Sequence, residues 1–175
     1  MGRAVFLDRD GVINQAVVRD GLPYPPASVE SLQILPGVFE ALTRLQAAGF
    51  RLIVVTNQPD VARGTQTKTA VEAIHEALRK TLPLDDFRCC YHDNADNCVC
   101  RKPAPGMILA AAAEYALDLG HSFMVGDRWR DIEAGQRAGC RTVFIDYHYA
   151  EVNRSQPDAV ATSLTEAAHW ILQQG

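Results

Sequence analysis

Val5-Phe6-Leu7-Asp8-Arg9-Asp10-Gly11 decides how this chain is read: a short apolar run near its start breaks off into two carboxylates one residue apart. An apolar run of this length bounded by a turn former fits a buried strand. Side chains alternate along a strand, so Asp8 and Asp10 are expected to face one way if extended backbone continues through them. Like charges held together repel, which packing does not explain. A cation site does, and so does a nucleophile beside an acid/base. Gly11 then lets the backbone turn away. An exposed strand end carrying two solvated acids is the alternative that this run alone leaves open.

The pattern recurs further along. Arg51 to Asn57 is a second apolar run, finishing in Thr56-Asn57; Ser122 to Asp127 is a third, finishing in an acid; Arg141 to Asp146 is a fourth. Helical spacing fills the intervals at Pro36 to Gly49, Thr69 to Leu82, Gly106 to Leu119, Asp131 to Ala138 before Gly139, and Ser163 to Gln173. Phe87 to Tyr91 reads as a short strand. Strands alternating with helices predict a Rossmann-like α/β fold, a mostly parallel sheet with helices on both faces. Ligands of such folds lie outside the carboxyl ends of the strands, where three of these runs end in Asp8/Asp10, Thr56/Asn57 and Asp127. Residues 15–36, with Gly21, Pro23, Tyr24, Pro25 and Pro26, read as an irregular excursion walling that site. His75 and His121 read as surface or boundary residues, and Trp129 and Trp170 as packing.

With 175 residues and 47% hydrophobic content, a single domain over 1–175 is expected. A net charge of -4 without a basic stripe excludes a general nucleic-acid binder. No apolar run approaches membrane-spanning length and no leader pattern follows Met1, so a cytoplasmic protein without a membrane partner is expected, with a monomer as the default. Four of the five cysteines crowd between Cys89 and Cys100, which in a reducing compartment points to metal rather than disulfides. Cys90, His92, Cys98 and Cys100 would be a full tetrahedral set for a structural Zn2+, with Cys89 as a neighbouring alternative.

These residues together resemble the haloacid dehalogenase-like (HAD) phosphatases, whose four motifs stand here as Asp8-Arg9-Asp10-Gly11, Thr56-Asn57, Lys102, and Gly126-Asp127 with Asp131 beyond. The resemblance implies a HAD-like fold and a set of roles. Asp8 is the nucleophile that forms an aspartyl-phosphate. Asp10 is the general acid/base. Thr56 and Lys102 hold the phosphoryl oxygens. Mg2+ is bound by Asp8, Asp127 and the Asp10 backbone carbonyl. Asp131 is left between a metal-supporting and a helix-charge role.

The zinc loop, about residues 89–101, narrows the resemblance to the D-glycero-D-manno-heptose 1,7-bisphosphate 7-phosphatases, with histidinol-phosphatase as kin. That family supplies the Cys-x-His and Cys-x-Cys pattern which favours Cys90 over Cys89. It implies a phosphorylated sugar substrate from lipopolysaccharide precursor biosynthesis and no large cap domain. Asn57, Gln58, Arg63, Arg101 and Arg128 are the expected substrate-binding residues, the arginines because a bisphosphate needs cations beyond those on the reacting phosphate. Pro59-Asp60 departs from the small residue and Gly usual in the family. Histidinol phosphate or another small phosphomonoester is the alternative substrate, and a catalytically silent zinc-stabilised binding module the alternative class.

Overall fold

The structure, a computed structural model, describes residues 1–152 and 154–175. Its centre is a six-stranded parallel sheet with the order β5-β4-β1-β6-β7-β8, formed by β1 (Arg3–Leu7), β4 (Phe50–Asn57), β5 (Asp86–Cys90), β6 (Phe123–Gly126), β7 (Arg141–Ile145) and β8 (Ala159–Ala161). Five helices connect or close these strands: α1 (Val38–Ala47), α2 (Lys68–Thr81), α3 (Gly106–Tyr115), α4 (Trp129–Ala138) and α5 (Leu164–Gln173). A two-stranded hairpin, β2 (Val17–Arg19) and β3 (Leu22–Tyr24), sits between β1 and α1.

Strand alternation divides the core in two. Val5 and Leu7 of β1, with Leu52 and Val54 of β4, join the cluster that includes Leu42 of α1, Ile74 of α2 and Ile171 of α5. Ala4 and Phe6, with Ile53 and Val55, join Ile108 of α3 and Ala134 of α4. Central strands buried on both faces explain why β1 and β4 are nearly continuous apolar runs rather than alternating ones. Helices therefore cover both faces, as expected.

Two elements were hidden in sequence. The excursion over residues 15–36 contains the β2–β3 hairpin, whose strands have only three residues each and one of which carries Pro23. β8 is likewise three residues long and pairs in parallel with β7. Strands this short show no periodicity, and their pairing comes from tertiary contacts. His75 is corrected: it is 4% exposed and lies inside α2's packed face, not on the surface. His121 is exposed, as expected.

Candidate active site

The sheet order β4-β1-β6 makes neighbours of the three polar strand ends. Asp8 follows β1 directly, and its N–H donates to Val125 O at 3.0 Å, tying it to β6. Lys102, from the loop before α3, brings its Nζ to 2.8 Å from Asp8 Oδ1, 2.7 Å from Asp131 Oδ1 and 2.7 Å from Val55 O. Asn57, ending β4, clamps the lysine's backbone from both sides: its Nδ2 donates to Lys102 O and its Oδ1 accepts from Lys102 N. Asp131 sits in the first turn of α4 and accepts from Arg128 N through Oδ2. A Cβ on Gly126 would come within 2.1 Å of Asp131 Cβ, so this carboxylate can lie against the strand only because Gly126 has no side chain.

Asp8, Asp127 and Asp131 each offer an oxygen within 4.8 Å of the others. Burial, then the charge of Asp131, raises Asp8 to about 6. Burial, then Asp8 and Asp131, raises Asp127 well above the ordinary carboxylate range. Burial alone would discharge Lys102, but Asp131 and Asp8 outweigh it and hold the ammonium protonated. One lysine does not balance three buried carboxylates. Asp127 adds a more specific sign: its Oδ2 accepts the Tyr149 hydroxyl at 2.8 Å, while its buried Oδ1 has no partner. A hard cation with oxygen ligands fits this donor set. Asp10 does not contribute its carboxylate to the cluster; Asp131 does.

Asp8 and Asp10 both face the cleft with Arg9 turned inward between them, and Asp10 lies within the turn that follows β1. β1 ends at Leu7, and the Arg9 carbonyl accepts from the N–H groups of Ile13 and Asn14. Arg9 turns wholly inward, with no exposed surface. Its guanidinium grips both Asp10 oxygens at 3.0 and 3.1 Å, while Nη1 lies 3.0 Å from His75 Nε2. A guanidinium can only donate, so His75 Nε2 accepts and its proton sits on Nδ1. Asn14 Nδ2 and Gln58 Nε2 complete the donors to Asp10, and Gln58 also donates to Thr56 Oγ1. Thr56 and Gln58 are both buried, and Gln58 serves Asp10 rather than the cleft wall. Burial and then the charge of Arg9 depress His75 to about 3, so it is neutral at pH 7.

Cys90, His92, Cys98 and Cys100 converge as a second group. Cys90 Sγ is 3.5 Å from His92 Nδ1 and 3.6 Å from Cys98 Sγ, and Cys100 Sγ is 3.2 Å from His92 Nδ1 and 3.4 Å from Cys98 Sγ. Cys100 Sγ also lies 2.9 Å from Cys90 Sγ, and since a zinc tetrahedron with metal–sulfur bonds near 2.3 Å has edges of about 3.8 Å, these two sulfurs would have to spread for the four donors to enclose zinc. Cys89 points elsewhere, as strand alternation requires, and burial pushes its thiol up to about 12. The cysteine loop runs directly into Arg101-Lys102, and Gly106 N donates to Val99 O, joining the loop to the start of α3.

A cleft of about 310 Å³ opens over Asp8, Asp10 and Lys102, walled by Leu22, Pro23, Tyr24 and Pro25 of the excursion. Arg63, Arg101, Arg128 and Arg130 all line it. Arg63 is paired with Asp93 at 2.7 and 2.8 Å and with Asp60 at 3.4 Å. Arg128 is paired with Glu151 at 2.5 and 3.2 Å. Arg101 donates to Asn94 Oδ1 at 2.8 Å and has its nearest acid, Asp93, at 3.9 Å. Sequence reading missed Arg9, His75, Arg130 and Tyr149. Of these, only Arg9, lying within the acidic motif itself, stood where a closer reading could have found it.

A HAD-hydrolase-like family model matches residues 99–167. A D-glycero-D-manno-heptose-1,7-bisphosphate 7-phosphatase of Thermosynechococcus vestitus is 36% identical, over 96% of this chain and 94% of that protein. A D-glycero-beta-D-manno-heptose-1,7-bisphosphate 7-phosphatase of Escherichia coli is 33% identical, over 97% and 87%. The crystal structure of a D,D-heptose 1,7-bisphosphate phosphatase from B. bronchiseptica, complexed with magnesium and phosphate, superposes with a TM-score of 0.85 at 32% identity, covering 99% of both chains. Fold and site define a HAD-like phosphatase. Within that class, the chain belongs to the D-glycero-D-manno-heptose-1,7-bisphosphate 7-phosphatase family.

Two expectations follow from this geometry. By elemental analysis, the purified unaltered protein is expected to hold one zinc per chain and Cys98→Ala to lose it; full zinc content in the variant would overturn the ligand set. The buried His75 gives a pH signature. Between its ordinary value of 6.5 and its folded value of about 3, the unfolded chain binds a proton that the native chain does not. Stability contributed by this residue is therefore present above about pH 6.5 and lost on acidification, at up to about 1.4 kcal/mol per pH unit. His75→Gln should flatten the urea-unfolding stability curve between about pH 6 and pH 4. Equal slopes in the two proteins would show that His75 titrates freely in the fold.

Proposed function

We propose that this chain is a magnesium-dependent phosphatase that removes the 7-phosphate of D-glycero-D-manno-heptose 1,7-bisphosphate through an aspartyl-phosphate. The observation that carries the reading is Asp8, held at the carboxyl end of β1 by Lys102 at 2.8 Å and opening into a cleft lined by arginines. Asp8 attacks phosphorus as the bond to the sugar oxygen breaks, and Asp10 supplies the proton that the leaving oxygen needs. Asp10 then takes a proton from the water that attacks the aspartyl-phosphate, releasing phosphate and restoring Asp8. Lys102 and the Thr56 hydroxyl stabilise the phosphoryl oxygens, Lys102 with a charge that Asp131 and Asp8 keep in place against burial.

Asp8, Asp127 and Asp131, with the Asp10 backbone carbonyl that the family resemblance suggests, would hold Mg2+. When bound, it supplies positive charge against the phosphoryl oxygens. Cys90, His92, Cys98 and Cys100 would hold Zn2+ as a closed structural site that fixes the loop presenting Arg101 and Lys102. The carboxylate of Asp60, unusual for the family, faces Arg63 at 3.4 Å, so it does not stand as an uncompensated charge against an anionic sugar. Arg101, the least committed of Arg63, Arg101 and Arg128, is the best placed of those three to meet substrate.

The test is phosphate release with magnesium from heptose 1,7-bisphosphate, beside histidinol phosphate and simple sugar monophosphates. The bisphosphate should be the preferred substrate, and Asp8→Asn should lower turnover by at least about 10³-fold while leaving the circular dichroism spectrum intact. Near-normal turnover by Asp8→Asn would overturn the mechanism, and a clear preference for histidinol phosphate would overturn the substrate.

A further inference from the structure

The two oxygens of Asp127 are treated unequally. Oδ2 accepts the Tyr149 hydroxyl at 2.8 Å, while Oδ1 is buried without a partner. The contact falls over the turn that follows β1. A Cβ on Gly11 would collide with Asp127 Oδ2 and come within 3.2 Å of the Tyr149 hydroxyl oxygen, so the pair fits there only because that position is glycine, with a φ of 89°. Tyr149 belongs to the segment after β7, and that segment is held at several points. The Tyr149 ring stacks on Tyr147 with centres 5.6 Å apart and planes 25° from parallel. Ala150 N donates to Gly21 O at 2.9 Å, fastening the segment to the turn of the β2–β3 hairpin. Glu151 takes the Arg128 guanidinium at 2.5 and 3.2 Å. The hydroxyl is therefore carried by an anchored ring.

The terminal torsion of an aspartate is soft, so a carboxylate with both oxygens free can meet a cation through either or both. A hydrogen bond to Oδ2 occupies one oxygen and sets the plane of the group. Partners that orient a metal ligand from behind carry roughly 10- to 100-fold of metal affinity. The number of oxygens offered also bears on which cation is held. Mg2+ demands near-octahedral geometry with short bonds, whereas Ca2+ takes more oxygens and accepts carboxylates through both. Holding Asp127 to one oxygen favours the smaller ion.

We infer that Tyr149 is a positioning residue: by occupying Oδ2 it makes Asp127 a one-oxygen ligand through Oδ1, and so tilts the site of Asp8, Asp127 and Asp131 toward Mg2+ and away from Ca2+. This rests on the magnesium reading above and deepens it. Tyr149 does not line the cleft over Asp8 and Lys102, so its effect passes through Asp127 and not through contact with substrate.

The experiment titrates substrate-free wild type and Tyr149→Phe with Mg2+ and, separately, with Ca2+, reading apparent affinity from the rise in thermal midpoint that binding produces. Tyr149→Phe keeps the ring and its stacking and removes only the hydroxyl. Mg2+ affinity should fall by roughly 10-fold or more, and the ratio of Mg2+ to Ca2+ affinity by about 10-fold, with the circular dichroism spectrum intact. A general loosening of the fold would weaken both ions alike. An unchanged affinity ratio in Tyr149→Phe, whether both affinities are kept or both fall together, would overturn the inference alone. Wild type that shows no rise in midpoint with Mg2+ would overturn the magnesium reading and the inference with it.

Discussion

The ammonium of Lys102, buried between Asp8 and Asp131, is the contact on which the site depends. Removing an ammonium and carboxylates from water is costly, and the arrangement survives only because each charge finds a close opposite. The fold is built to deliver them. Asp8 comes from the end of β1 and Asp131 from the first turn of α4, beside a glycine that lets it approach the sheet. Lys102 comes from a loop whose backbone is clamped by Asn57. With Asp127 added, the carboxylates still outnumber the lysine, and Asp127 keeps one buried oxygen without a partner. A divalent cation would balance such a site, and magnesium accompanies phosphate in the B. bronchiseptica relative's crystal structure.

The two acids of the first motif are given different surroundings over a distance of two residues. Asp8 sits among other carboxylates, with the Lys102 ammonium 2.8 Å from its Oδ1. Asp10 is wrapped by donors from Arg9, Asn14 and Gln58, with His75 supporting Arg9 from α2. Because Arg9 holds both Asp10 oxygens, the acid is fixed in direction before any substrate enters.

Most of the fold was legible because its central strands are long apolar runs that end abruptly in polar residues, and the helices between them carry regular spacing. The three-residue strands of the hairpin and β8 were not, since they contain too few side chains to show a period. The candidate site was legible in its parts: Asp8, Thr56, Lys102 and Asp127 stand at strand ends or beside the cysteine cluster. Its wiring was not. His75 is an ordinary helical histidine until β1's turn places Arg9 against it. Asp131 joins the metal-facing carboxylates only because Gly126 has no side chain. Tyr149 matters through one contact, which leaves no trace in composition or spacing. Arg63 and Arg128 are drawn to Asp93 and Glu151, acids distant in sequence that no local pattern could pair with them.

Nucleophilic attack by Asp8 is most directly tested by rapid acid quench of the enzyme during turnover of bisphosphate labelled in its 7-phosphate, followed by peptide mapping. The expected result is transient, acid-stable label on the peptide that contains Asp8, appearing before free phosphate and lost in Asp8→Asn. Full turnover without label on that peptide at any quench time, or label on a different residue, would contradict it.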